Sequence, residues 1–402
     1  MRHEELANLS ELRFDTVVVR FGGEIGIKAD WTRRLYERRL ITNIKAVLKE
    51  HVISYSAFVR KFGRLYIKTK QAEETAEKLT RVFGISSLSP ALETTSDLND
   101  ILNVSTRLAA SRFKKGKSFA VRCHRIGTHP YTSQEVCRQV GGIILTQLPQ
   151  LKLKVDLTHP EQVLNVEVRE DKAYVFTDIF KAAGGLPLGT QPKLVCLLKG
   201  DISSAAACWM TMKRGCPQIL VHFQESGPTD KPSLIEVMNA AKRLTEWSVG
   251  FPRKLYVVES GENFHRLAQK HRSELKDLLC QRLMLKISQG IAKLKNAEGI
   301  VTGDTIGENT KQTLHAFRIQ DEAAKDYPIY RPLLGLDSHE IEELAQRIGL
   351  EKRVSHKEKH RAERKEAQSA AMKLEDIKQI EKELNIEKMV DDAMKSSRVL
   401  EV

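Results

Sequence analysis

The sequence predicts an α/β protein whose last large domain is a doubly wound parallel sheet. Three observations carry this. Short β-branched runs alternate with amphipathic helical segments between residues 194 and 348, the order that builds parallel sheets covered by helices. A Gly/Pro stretch, Gly184-Gly185-Leu186-Pro187-Leu188-Gly189-Thr190-Gln191-Pro192, separates this region from a more basic first half. The 402 residues suggest two to three domains at roughly 150 residues each. Hydrophobic residues at 41% and charged residues at 29% suit a soluble chain. No apolar run approaches the ~20 residues needed to cross a bilayer, so no membrane span is expected. The opening MRHEELANLSELRF carries charges where a secretion signal needs an apolar stretch, so a cytoplasmic location is expected. The six cysteines are widely spaced without a CxxC, which argues against a disulfide framework or zinc knuckle, and no metal site is expected.

Taken in order, residues 16–21 (TVVVRF) read as a strand broken by Gly22 and Gly23. Residues 31–49 read as a helix with Leu35, Leu40, Ile41, Ile44, Val47 and Leu48 near one face and Arg33, Arg34, Arg38, Arg39 and Lys45 on the rest. Residues 58–67 alternate like a strand with a turn or bulge at Gly63, and residues 71–82 are helical again. A second unit begins near Pro90. Residues 98–113 read as a helix ending in Lys114-Lys115-Gly116-Lys117, then 118–123 as a strand, then 124–130 as a basic loop. Ser133 is placed to cap a helix reaching about Leu148. Residues 151–157, 163–169 and 173–179 read as three strands. Beyond the Gly/Pro boundary, strands at 194–198, 218–223, 254–258 and 299–302 alternate with helices at 204–214, 233–246, 264–293 and 338–348. After Leu350 a strongly charged run, 352–365, precedes a helical stretch at 373–394, read as a charged helical tail.

Lys plus Arg is 65 against 52 for Asp plus Glu, a formal charge of +13. An excess of this size favours a polyanionic partner. The cations gather on the first helix and around 114–129. That selects Lys28, Arg33, Arg34, Arg38, Lys114, Lys115, Lys117, Arg122, His124, Arg125 and His129 as candidates to meet a polyanion. Trp31 and Trp209 read as packing residues, and Cys196, Cys208 and Cys280 as inert buried thiols.

In 194–215, LVCLLKGDISSAAACWMTMKRG, an apolar strand runs through a small-residue turn into a helix. Such a junction presents N–H donors to phosphate. The wider order of motifs resembles the tRNA 4-thiouridine synthetase family, the tRNA sulfurtransferases also linked to thiamine thiazole synthesis. Phe21-Gly22-Gly23-Glu24-Ile25-Gly26-Ile27-Lys28 resembles its opening signature with one extra glycine, and Arg39–Ile44 its following helix. Ser118–His129 and Ser133 resemble the core of its tRNA-binding THUMP domain, as do Val155–Thr158 and Asn165–Val168. Gly184–Gly189 resembles its linker. Val301–Gly307, Gln312-Thr313-Leu314 and Arg331–Asp337 resemble stretches of its PP-loop ATP-pyrophosphatase domain. The resemblance implies a ferredoxin-like domain at 1–88, a THUMP domain at 89–183, a PP-loop domain at 184–350 and the tail at 351–402. It also implies nucleotide contacts at Gly303, Asp304, Gly307, Gln312, Arg331 and Asp337.

The chain departs from that pattern where the chemistry would sit. The family's SGGxDS loop falls on Lys199, Gly200, Asp201, Ile202, Ser203 and Ser204. Asp201 stands where a glycine would approach phosphate, and Ser203 where the family has its catalytic aspartate. Ser338 replaces a lysine, and 349–365 holds no relay cysteine. The expectation is therefore a tRNA-binding protein acting in tRNA thio-modification with impaired or absent ATP-dependent catalysis. The rival is an active ATP-dependent sulfurtransferase with a rearranged loop. A small-molecule adenylating enzyme would need a carboxylate substrate site that the sequence does not offer. ATP and magnesium are the cofactors the resemblance implies, and the altered loop counts against both. The expected partner is tRNA. A separate sulfur donor or catalytic subunit and a second copy of the chain are further candidates.

Overall fold

The first strand, β1 (Thr16–Phe21), is the β-branched run of the sequence, with Val17, Val18 and Val19 fully buried. In the computed structural model, which describes residues 12–61, 63–224, 231–270, 273–306, 314–350 and 374–402, the chain divides into two compact units after Gly185. In the first, β1 is followed by α1 (Gly23–Gly26) and α2 (Asp30–Glu50), then by a hairpin of β2 (Ala57–Lys61) and β3 (Arg64–Lys68). Gly63, at φ +67°, supplies the turn, so the single strand expected at 58–67 is two. Next come α3 (Ala72–Leu79) and the 11-residue β4 (Ile85–Thr95). After β4 come α4 (Leu98–Arg112), β5 (Ser118–Ile126), α5 (Ser133–Gln147), β6 (Lys154–Val155), β7 (Gln162–Arg169), β8 (Lys172–Phe176) and β9 (Phe180–Lys181).

These strands form one nine-stranded sheet in the order β2-β3-β1-β4-β8-β7-β5-β6, with β9 pairing β4. β4 joins the halves: its residues 85–91 pair with β1 and 92–95 with β8. Tyr66 on β3 and Tyr174 on β8 lie three strands apart, roughly 14 Å in a flat sheet, and are offset further along the strands. Their rings nevertheless stack with centroids 4.2 Å apart. The sheet must therefore curl, folding the face of its first half onto that of its second. Val18, Ala91 and Phe176 complete this small core.

Three local expectations are corrected here. β5 runs on to Ile126, so His124 and Arg125 are strand residues, because the parallel pairing with β7 continues to Ile126–Arg169. The cap of α5 is Thr132, not Ser133; its hydroxyl and the Glu135 carboxylate form a reciprocal capping box. The strand expected at 151–157 shrinks to β6, because the Asp156 carboxylate accepts from the N–H groups of Thr158 and His159 at 2.9 Å each and turns the chain.

The second unit contains β10 (Leu194–Leu197), α6 (Ile202–Lys213), β11 (Gln218–Gln224), α7 (Lys231–Thr245), β12 (Lys254–Glu259), α8 (Gly261–Lys270), α9 (Ser273–Lys295), β13 (Ile300–Val301), α10 (Leu314–Asp321), β14 (Ile329–Tyr330) and α11 (Ser338–Ile348). The helix expected over 264–293 is thus two elements. With Arg398–Glu401 as β15, the sheet order is β14-β13-β10-β11-β12-β15, parallel except for the last pair. The last strand corrects the reading of a charged tail. Residues 374–402 form α12 (Leu374–Glu383), α13 (Ile386–Lys395) and β15 (Arg398–Glu401), and β15 pairs antiparallel with β12. Ile377, Leu384, Ile386, Met389 and Ala393 enter the main core beside α9. Glu381 meets the buried Arg282 through two hydrogen bonds of 2.7 and 3.0 Å. The charged run at 352–365 lies outside the described residues. Among those described, no helix is long and apolar enough to cross a membrane.

Candidate functional site

Two places gather chemistry: the cations of the first unit and the loop after β10 in the second.

In the first unit, α2 buries Tyr36, Leu40, Ile44, Val47 and Leu48, which turns Arg34 and Arg38 outward to solvent. Arg33 is held by Asp30 at 2.7 Å and Lys28 is half-buried. Lys114, Lys115 and Lys117 are exposed at the start of β5, with Lys117 on Glu161 at 2.6 Å. Arg122 and His124 project from one face of β5, since alternate strand residues share a face, and both are exposed. Lys117 and His124 are roughly 23 Å apart along an extended strand, so the basic side chains of 114–125 do not form one cluster. Arg125 and His129 are used internally. His129 Nε2 faces the Glu170 carbonyl at 2.7 Å and so donates, leaving Nδ1 to accept from Arg125 Nη1 at 3.3 Å; Arg125 Nη1 also reaches the Gly127 carbonyl at 2.9 Å. Ser133 lies beside Cys123, whose thiol burial pushes up to about 11. Trp31, read as a packing residue, is 73% exposed; Trp209 is buried as expected.

Sequence reading missed a buried charge hub where the two halves of the curled sheet meet. Glu167 of β7 accepts from Arg20 Nε and Nη2 at 3.0 and 2.7 Å and from Arg169 Nη2 at 3.0 Å, with Arg64 Nε 3.8 Å away. Burial alone would raise its carboxyl, but the guanidiniums of Arg20, Arg169 and Arg64 outweigh that and hold it below the usual value. Alternation along β1, β3 and β7 marks these positions only as polar. Their meeting depends on the curl.

In the second unit the chain order reverses beside β10, between β11 on one side and β13 on the other, the place where doubly wound sheets take ligands. Here Asp201 caps α6: its carboxylate accepts the Ser204 N–H at 2.8 Å. Ser204 is buried and turns inward, accepting from the Lys199 N–H at 3.1 Å and donating to the Asp201 carbonyl at 3.2 Å. Lys199 is exposed, and Gly200 takes φ +86° close against Val237 of α7. The Ser203 hydroxyl makes no hydrogen bond among the described residues. Gly303 lies so close to the first turn of α6 that a Cβ would fall 2.6 Å from Ser204 N, so only glycine fits. The next residue, Asp304, is buried, accepts from Thr302 at 2.7 Å and pairs with Arg331 at 3.1 Å; Arg331 also grips Asp321 and covers the Phe317 ring at 4.3 Å. Asp337 caps α11 in a capping box with Glu340. The fold therefore unites Lys199–Ser204 with Gly303, Asp304 and Arg331. It gives Asp337 a capping role. Gly307 and Gln312 lie outside the described residues.

Comparison with known proteins matches three family models in order along the chain: a ThiI ferredoxin-like domain at residues 16–89, a THUMP domain at 95–178, and the thiamine biosynthesis protein ThiI at 189–386. A probable tRNA sulfurtransferase of Methanosarcina acetivorans is 33% identical over 393 residues, covering 96% of this chain and 94% of the relative. The chain belongs to the tRNA sulfurtransferase family. A family member from Thermococcus kodakarensis, also named a probable tRNA sulfurtransferase, is 38% identical over 84% of this chain and 88% of its own. A crystal structure described as a 4-thiouridine synthetase–RNA complex with bound ATP superposes with a TM-score of 0.83 at 27% identity, covering 96% of this chain and 99% of that one. A Pyrococcus horikoshii protein matches with a TM-score of 0.66 at 28% identity, over 84% of this chain and all of its own. Within the sulfurtransferase family fold, the first unit holds the ferredoxin-like and THUMP segments and the second the parallel sheet of the ThiI domain.

Proposed function

We propose that this chain binds tRNA and serves tRNA thio-modification while its own ATP chemistry is impaired or lost. The observation that carries the reading is the Asp201 carboxylate on the Ser204 N–H at 2.8 Å. In an α/β fold the free N–H groups at this helix start are the donors for phosphate. Here one is already satisfied, and by a negative charge that repels a second anion. The remaining groups do not restore the site. Ser203 brings a hydroxyl instead of a carboxylate, and Asp304 is engaged by Arg331. The residues present therefore do not fit magnesium-bound ATP in a catalytic pose, and no reaction step is assigned to it. Binding is supported by the exposed cations Arg34, Arg38, Lys114, Lys115 and Arg122, by the exposed His124 and by the relative whose described complex contains RNA. RNA of A-form shape would be met through phosphates and 2′-hydroxyls more than through base sequence.

The second reading, an active sulfurtransferase with a rearranged loop, draws on the tight seat of Gly303 against α6 and on Arg331, which sits at the strand ends beside the loop. Purified protein given tRNA, ATP and a sulfur donor separates the two. The expected outcome is tRNA binding without tRNA-stimulated AMP formation. Brisk turnover would establish the rival reading and make Lys199, Asp201 and Asp304 the first residues to replace.

A further inference from the structure

We infer that Trp31 is a stacking platform for an unpaired base of the bound tRNA, an inference that rests on the tRNA-binding reading above. The indole is 73% exposed, and Ile27 and Leu35, four residues to either side, are 84% and 42% exposed. The opposite face of α2 is fixed in the core by Tyr36, Leu40, Ile44, Val47 and Leu48, so the indole cannot rotate inward. Arg34 and Arg38 follow Trp31 by three and seven residues and share its helical face. Arg38 Nε donates to the Arg34 carbonyl at 3.3 Å, which lays its guanidinium along the same row. The nearby acids do not cancel this charge: Asp30 is spent on Arg33, and Glu37 is buried and paired with Arg60. No ring or ion contact involving Trp31 or Arg34 occurs among the described residues.

An aromatic face flanked by free cations is the composition that binds single-stranded nucleic acid. Bases stack on the ring while the cations follow the backbone. A protein-docking site of stable size would need an apolar centre depleted of charge, and here Arg34 and Arg38 share the face of Trp31.

Intrinsic fluorescence reads the contact directly. Trp209 and Trp247 are only 1% and 8% exposed, so quenching on tRNA addition reports Trp31. Trp31→Ala should abolish the quenching and weaken tRNA binding by about 5- to 150-fold, the range for loss of one stacked base. Its salt dependence should stay as in the wild type, because no phosphate contact is lost. Trp31→Phe should recover most of the affinity. A blunt RNA duplex of equal charge should bind wild type and Trp31→Ala equally. Wild-type affinity for tRNA in Trp31→Ala overturns the inference and leaves the tRNA reading standing; if that variant instead loses a protein partner, the patch belongs to that protein. Wild-type protein that does not prefer tRNA over DNA duplex overturns the tRNA reading itself.

Discussion

The two units treat anions in opposite ways. On the first, Arg34, Arg38, Lys114, Lys115, Arg122 and His124 stand in solvent. On the second, the start of α6, where the proposed reading would seat phosphate, holds the chain's own Asp201 carboxylate. Where the first unit does bury positive charge, at Arg20 and Arg169, it sets the carboxylate of Glu167 against it. On the reading proposed above, retaining a fold and retaining its chemistry are separate matters. Surface cations survive substitution one at a time because each contributes a similar small amount, whereas a pyrophosphate loop depends on every donor being free at once.

The largest effect should come from Glu167→Ala. It leaves Arg20, Arg64 and Arg169 facing one another where the sheet curls, and breaking a buried pair of this kind costs about 3–5 kcal/mol. Chemical denaturation of the full chain should show the loss in the first unit. Asp30→Ala, which removes the exposed partner of Arg33, should cost under about 1 kcal/mol. Equal losses would mean that the hub does not hold the curl. The same carboxyl sets an acid limit. Its folded value is depressed, so its contribution is complete above the unfolded value near 4.3 and is lost as pH falls through the lower folded value. The first unit should therefore keep its stability across neutral pH and lose it below about pH 4, and in Glu167→Ala that acid-induced step should shrink.

A smaller effect tests the exposed cations. Each phosphate contact contributes about 0.7–0.9 to the slope of log affinity against log salt. Arg34→Ala and Arg38→Ala should each lower the slope by about that amount in a mobility-shift titration. Arg125→Ala should leave it nearly unchanged, because Arg125 is held by the Gly127 carbonyl and His129. A full slope change for Arg125 would mean that the loop opens on binding.

Much of this was legible in the sequence where the signal is local. The β-branched run at 16–21, the helix over 31–49 and the alternation after 194 all appear where periodicity places them. The loop's departures at Asp201 and Ser203 were legible only through the resemblance to the family's loop. What escaped depends on partners far along the chain. Tyr66 and Tyr174 stack because a sheet curls, which no window of residues records. Arg398–Glu401 is too short to read as a strand, and it forms one because β12 offers it an edge. Glu381 reads as one more solvated charge until Arg282, 99 residues away, arrives beside it. Trp31 failed for another reason: an aromatic in a helix is most often core, and only the burial of the opposite face of α2 shows that it points away.

A modest stability change is also the one that decides the contrast between the units. Asp201→Ala removes the cap of α6 and should cost about 1 kcal/mol, roughly 2–4 °C in melting temperature for a unit of this size. Asp337→Ala removes the matching cap of α11 and should cost about the same. Only the first frees an N–H beside Lys199 at the end of β10, and only the first removes a charge that repels phosphate. Isothermal titration with pyrophosphate and with ATP should therefore show gained binding in Asp201→Ala and none in Asp337→Ala, although both lose similar stability. Turnover should not return with binding, because Ser203 still supplies no carboxylate and 349–365 still holds no cysteine. If Asp201→Ala binds nucleotide no better than wild type, the carboxylate is not what closes the loop. The next substitution is then Ser203→Asp in the same background.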